Sequence, residues 1–185
     1  MAPRGRGVLL LTGSPGAGKT TALRRAVAKV ADVGIRGFTT DEIREDGGRV
    51  GFRIETFDGA SAVLAHVAIR SLHRVSKYGV DVETLDRVLA EQFPRGHAGV
   101  VVIDEIGKME CLSGRFVETV EELLESARVF VATVALRGGG LIERVKRRPD
   151  AEVWNVTRSN RDEMPERVAD WIRTSLSASA GRGTA

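Results

Sequence analysis

The chain has 185 residues, 42% of them hydrophobic and 29% charged, the proportions of a soluble globular protein rather than a disordered or fibrous one. That length suits one domain with a sizeable core. With 28 basic and 25 acidic residues the net charge is +3, too mild to require nucleic acid as a partner, and no apolar stretch is long enough to span a membrane. Cys111 is the single cysteine, so no intramolecular disulfide forms and a reducing, cytoplasmic setting is expected. The basic start, Met1 to Arg6, resembles a signal n-region, but the apolar run behind it is too short for an export signal. A monomer is the simplest expectation.

Val8 to Thr12 reads as a buried parallel strand, apolar on both faces. It runs into Gly13-Ser14-Pro15-Gly16-Ala17-Gly18-Lys19-Thr20-Thr21, which has the form GxxxxGK(S/T) between a strand and a helix. Glycines at 13, 16 and 18 let the backbone turn tightly and aim several N–H groups inward, forming an anion-binding nest. The following helix adds its positive dipole end. Lys19 supplies a point charge for β- and γ-phosphates, and the Thr20 hydroxyl suits Mg²⁺. From Thr20 the apolar residues Leu23, Ala26, Val27, Val30 and Ala31 line one helix face, predicting a helix that ends near Gly34.

Ile35 to Thr39 predicts a short strand. A hairpin of about residues 40–57 should follow, because Val50, Phe52, Ile54 and Thr56 alternate with Arg49, Gly51, Arg53 and Glu55 beyond the turn Asp46-Gly47-Gly48. Asp58-Gly59 marks a second turn and Ala62 to Ile69 reads as one more strand; Arg74 to Gly79 reads as a polar loop. Val82, Leu85, Val88, Leu89 and Phe93 predict a helix stopping before Pro94. Gly99 to Asp104 is a second apolar strand, and Phe116 to Ala127 the clearest helix. Val129 to Ala135 is a third core strand, followed by Arg137-Gly138-Gly139-Gly140 and a short basic helix, Leu141 to Arg148. Val153 to Val156 is the fourth, and a final helix opens at Met164-Pro165. The domain is expected over residues 1–176, with 177–185 a disordered tail. Alternating strands and helices predict an α/β fold with a mostly parallel sheet, flanked by helices and interrupted by the antiparallel hairpin insert.

On such sheets ligands bind beyond the strand C-termini, where the glycine-rich loop, Asp104-Glu105, Arg137 to Gly140 and Thr157 to Arg161 all fall. Asp104 at a strand end can hold Mg²⁺ opposite Thr20. The next residue along a strand points the other way, so Glu105 is free to polarise a water for attack on the γ-phosphorus. A further cation is expected near the leaving group, from Lys77, Lys108, Arg137, Arg158 or Arg161. No NKxD sequence is present, which argues against guanine specificity, and Asn160 or Arg161 is expected to touch the nucleoside. His66, His73 and His97 lack metal-ligand spacing and read as structural or surface residues. From the residues alone three functions remain open: a nucleoside-triphosphate phosphohydrolase, a small-molecule or nucleotide kinase, and an ATP-gated module acting on RNA or protein.

The ordered set Gly13 to Thr21, Gly37-Phe38-Thr39-Thr40-Asp41-Glu42-Ile43-Arg44, Val50-Gly51-Phe52, Lys77-Tyr78-Gly79-Val80-Asp81, Val102 to Glu110 and Asn160-Arg161-Asp162-Glu163-Met164-Pro165 resembles the thermophilic-type nucleoside-triphosphate phosphatases, a family of P-loop NTPases with a cancer-related human member. The resemblance implies a recombinase-type ATPase core and slow, Mg²⁺-dependent hydrolysis of ATP, GTP, CTP and UTP to diphosphates. It assigns the γ-phosphate to Lys19, the metal to Thr20 and Asp104, and water activation to Glu105. Two departures are Ser76, where glycine is expected, and the glycine-rich Arg137 to Gly140.

Overall fold

The computed structural model describes residues 6–94 and 99–180; His97 lies outside them. Nine strands, β1 (Gly7–Thr12), β2 (Ile35–Glu45), β3 (Gly48–Thr56), β4 (Ser61–His66), β5 (Arg74–Val75), β6 (Tyr78–Val80), β7 (Val100–Ile106), β8 (Val129–Val134) and β9 (Ala151–Asn155), form one sheet in the order β5-β6-β4-β3-β2-β7-β8-β1-β9. The five strands from β2 to β9 in that order pair in parallel. The other four are antiparallel.

Alternation explains how both faces are covered. Odd and even residues of a strand face opposite sides, and the central strands are apolar at both. Val8, Leu10, Val101, Ile103, Phe130 and Ala132 enter one core. It is roofed by α2 (Val82–Gln92), α3 (Gly114–Ser126) and α4 (Leu141–Lys146). Leu9, Leu11, Val100, Val102, Val129 and Val131 enter the other, which α1 (Lys19–Lys29) and α5 (Met164–Ala180) cover. Burying each such Leu, Val or Ile contributes about 1.5–3 kcal/mol. Asp81 starts α2 by accepting from the Thr84 N–H, and Ser113 starts α3 by accepting from Phe116.

Several expected boundaries move. The short strand at 35–39 and the first arm of the hairpin are one strand, β2, whose first half pairs with β7 while its length pairs with β3. Its turn places Asp46 and Gly47 at φ 47° and 77°, the two-residue geometry whose twist matches the strands. Arg74 to Gly79 is no plain loop: β5 and β6 form a tight hairpin through Ser76 and Lys77. Ser76 has φ 56°, a conformation that glycine adopts more readily. The first helix stops at Lys29, earlier than Gly34, although Val30 stays buried. The last helix continues to Ala180, so residues 177–180 are helical rather than tail; Ser and Ala there do nothing to stop it. Among the described residues no helix is long and apolar enough to cross a membrane.

Candidate active site

The glycine-rich loop joins β1 to α1 under backbone constraint. Gly18 is the N-cap of α1 with φ 100°, and a Cβ built on Gly13 would lie 2.3 Å from the Val156 carbonyl oxygen. Val156 N–H in turn donates to Thr12 O at 2.7 Å, binding the loop after β9 to the phosphate loop. Ser14, Pro15 and Gly16 stand exposed at the rim. Lys19 folds back over the loop, its Nζ 3.1 Å from Gly13 O and 3.5 Å from Ser14 O.

Asp104 is 1% exposed at the C-terminal part of β7. The Thr133 hydroxyl of β8 donates to Oδ1, Thr40 N–H donates to Oδ2 at 3.4 Å, and the Thr40 hydroxyl donates to the Asp104 carbonyl. Burial pushes this carboxyl upward, while the hydroxyls of Thr133 and Thr20, Thr40 N–H and the Arg24 charge pull it down. The Thr20 hydroxyl is therefore close enough to act on the Asp104 carboxyl, although 84 residues of sequence separate the two. Hydroxyl and carboxylate oxygens are hard donors that suit Mg²⁺, which takes few protein ligands and completes its shell with phosphate and water. The donor set fits that ion. Among the described residues no group of three or more His, Cys, Asp or Glu could hold a metal by itself.

β7 runs two residues past the expected end, to Ile106, and its ladder with β8 slips between Ile103 and Ile106. Glu105 is half-buried there. Burial raises its pKa, the Lys19 ammonium lowers it, and Asp104 raises it further. Glu105 thus feels both the phosphate-loop lysine and the neighbouring acid.

The remaining expected residues divide. Asn160 is committed to its own loop: Oδ1 accepts from Thr157 N–H at 2.8 Å and Nδ2 donates to Asn155 O at 2.9 Å. Arg161 lies across Gly18, where a Cβ would sit 3.3 Å from its Cδ, and it borders a cleft of about 180 Å³ with Thr21, Ala22, Arg25 and Pro165. Lys108, Arg137 and Arg158 are exposed on loops that follow β7, β8 and β9, on the same rim. Lys77 is not on that rim. It sits over the Tyr78 ring at 5.4 Å in the β5–β6 hairpin, and β6 is six strand spacings from β1, roughly 28 Å along the sheet.

Four residues with no motif of their own reach the site. Thr133 and Thr40 hold Asp104. Arg24 joins α1 to the hairpin through Asp41 at 2.7 Å and Thr39 at 2.7 Å. Glu110, 5% exposed, lies in a short 3-10 turn (Glu110–Leu112) beyond β7. Thr133 shows only as a lone threonine in an apolar strand and Arg24 carries no signal, whereas Thr40 and Glu110 fall inside the segments Gly37 to Arg44 and Val102 to Glu110.

A parallel α/β sheet carrying a glycine-rich phosphate loop beside a buried strand-end acid defines a P-loop NTPase. A family model described as NTPase matches residues 8–169. The nucleoside-triphosphatase THEP1 of Thermotoga sp. (strain RQ2) is 37% identical over 167 residues, covering 89% of this chain and 95% of that protein. The human cancer-related nucleoside-triphosphatase is 32% identical over 184 residues, covering 90% and 97%. The crystal structure of THEP1 from the hyperthermophile Aquifex aeolicus superposes with a TM-score of 0.76 at 32% identity, over 86% of this chain and 95% of that one. The solution structure of the human protein gives 0.77 at 32% identity, over 92% and 98%. The chain belongs to this NTPase family and is an enzyme of the hydrolase class.

Proposed function

We propose that the protein is a Mg²⁺-dependent nucleoside-triphosphate phosphohydrolase that removes the γ-phosphate of ATP, GTP, CTP and UTP by attack of an activated water, with slow turnover. One observation carries this reading: β1 and β7 flank β8 in parallel, so the loop bearing Lys19 and Thr20 and the acids Asp104 and Glu105 share one edge of the sheet, where Thr20 acts on Asp104 and Lys19 on Glu105. Residues 13–21 receive the polyphosphate, with backbone N–H groups of the loop facing its oxygens, apart from Pro15, which has none, and Ala17, which donates to the Ser14 carbonyl. Lys19 leaves the loop carbonyls to pair with the β- and γ-phosphates. Thr20 and Asp104 would hold Mg²⁺, which supplies charge neutralisation on the transferring phosphoryl group. Glu105 orients the attacking water and accepts its proton.

Broad base tolerance fits the nucleoside cleft. Asn160, the residue best suited to read a base edge, uses its amide oxygen and nitrogen to hold its own loop. Arg161 and Arg25 offer guanidinium planes, which contact any base. Slow turnover fits a rim whose remaining cations, Lys108, Arg137, Arg158 and Arg161, are all exposed. An acceptor-dependent kinase has less support, because Glu105 beside Asp104 suits water activation without a second substrate.

The test is phosphate release from each of the four triphosphates, with Mg²⁺ and with excess chelator. Release from all four without an added acceptor, diphosphate as product, loss on chelation and no change on adding RNA are expected. Release only with an acceptor would identify a kinase. A second prediction concerns the β9 loop. Asn160→Ala removes two hydrogen bonds that shape it, each contributing about 0.5–1.5 kcal/mol, so KM should rise roughly tenfold and alike for the four nucleotides. A selective change for one base would mean that Asn160 reads the base directly.

A further inference from the structure

Beyond the residues that meet nucleotide, one acid is buried without an assigned task. Glu110 follows the Asp104-Glu105 pair by a tight turn in which Cys111 N–H bonds Gly107 O at 3.1 Å. The backbone of Glu110 itself and of Gly107 favours the charged form of its carboxyl, but not enough to offset burial. A Cβ on Gly107 would lie 2.8 Å from Glu110 Oε2 and 3.2 Å from Glu105 Oε1. The missing side chain at 107 is therefore what lets the two carboxyl groups border one space, their nearest oxygens no more than about 6 Å apart, a span that one bridging water can close.

Resting on the reading of Glu105 as the group that activates water, we propose that Glu110 is the positioning residue for Glu105: its buried side chain backs that of Glu105 across Gly107 and holds it toward the phosphate loop. A neutral acid differs from a charged one here because it carries an O–H donor. Facing a carboxylate across a bridging water, it donates toward that charge rather than repelling it. Burial pushes the Glu110 carboxyl up to about 8, with Glu105 and Asp104 adding to the rise, so it is neutral at pH 7. Among the described residues no cation competes for it. Lys108 is exposed, Arg144 of α4 is paired with Glu121 at 2.6 Å, and Asp86 of α2 accepts from Ser113.

Three variants test this in the phosphate-release assay: Glu110→Ala, Glu110→Gln and the pair Glu105→Gln/Glu110→Ala. Glu110→Ala should lower kcat by 10- to 100-fold, the usual cost of a catalytic group displaced by about 1 Å, while KM stays within twofold. Glu110→Gln, which keeps shape and an N–H donor, should retain kcat within about threefold. Added to Glu105→Gln, Glu110→Ala should cost nothing further, because it acts only through Glu105. Equal losses in the two Glu105 backgrounds, a matching rise in KM, or a Gln variant as impaired as Ala would overturn the proposal. Near-normal turnover of Glu105→Gln alone would instead remove the role assigned to Glu105.

Discussion

Glu105→Gln should reduce turnover by about 10²–10⁴-fold, the usual contribution of a positioned general base, and leave nucleotide bound at least as tightly as in the wild type. The substitution keeps the shape of the side chain and removes its charge and its ability to accept a proton. Its neighbours stay in place, because Asp104 is held by Thr133 and Thr40 and not by Glu105. Glu105 feels both the Lys19 ammonium and the Asp104 carboxylate, so neutralising it takes one negative charge away from the polyphosphate. Single-turnover phosphate release and equilibrium nucleotide binding, measured on the same preparation, separate chemistry from affinity. Turnover within threefold of wild type would place water activation elsewhere.

Gly37→Ala should be the most damaging small substitution for the fold. Gly37 lies where β2 pairs with Val102 of β7, at φ 132°, and an added Cβ would fall 1.8 Å from the Val102 carbonyl oxygen. That atom is backbone and cannot swing aside. Overpacking costs about 1–3 kcal/mol and the left-handed backbone about 1–2 kcal/mol more. For a chain of this length each kcal/mol moves Tm by about 2–4 °C, so a drop of roughly 10 °C is expected. Thr40 is three residues on, and its grip on Asp104 should loosen as β2 shifts, so activity falls with stability. Gly34→Ala is the contrast, since nothing lies within 4 Å of that Cβ; its Tm should match the wild type. Equal midpoints for the two variants would contradict the close approach of β2 and β7.

Thermal unfolding also reads the state of Glu110. Its carboxyl rises from an ordinary 4.5 to about 8 on folding. The unfolded chain therefore ionises it first as pH increases, and stability is lost progressively between those two values. In Glu110→Gln that loss should be absent, so the variant gains Tm relative to wild type toward pH 8. Parallel curves for the two proteins would mean that Glu110 is charged in the folded state.

The parts of the site carried by unbroken local patterns are legible in the residues alone. Val8 to Thr21 combines an apolar strand, glycines and a lysine at a spacing that one local conformation satisfies, and Val100 to Glu105 ends an apolar run in acids. Short or composite elements are not. A two-residue strand such as β5 has no periodicity to read. β2 reads as two pieces because its first half is buried beside β7 and its second half follows the alternation of an exposed hairpin. Lys77 reads as a candidate cation because sequence order carries no distance.

Residue types and their spacing along the chain already specify the available chemistry: a phosphate loop, a hydroxyl for a metal, two acids after a strand, and a sheet apolar on both sides. Such patterns act within a few bonds, so no folded neighbour is needed to recognise them. Which distant groups meet is a property of the folded chain: Thr133 and Thr40 on Asp104, Glu110 against Glu105 across Gly107, Arg161 over Gly18, and Asn160 turned inward. Those meetings depend on strand order and register, set by packing across the whole sheet rather than by any local run of residues.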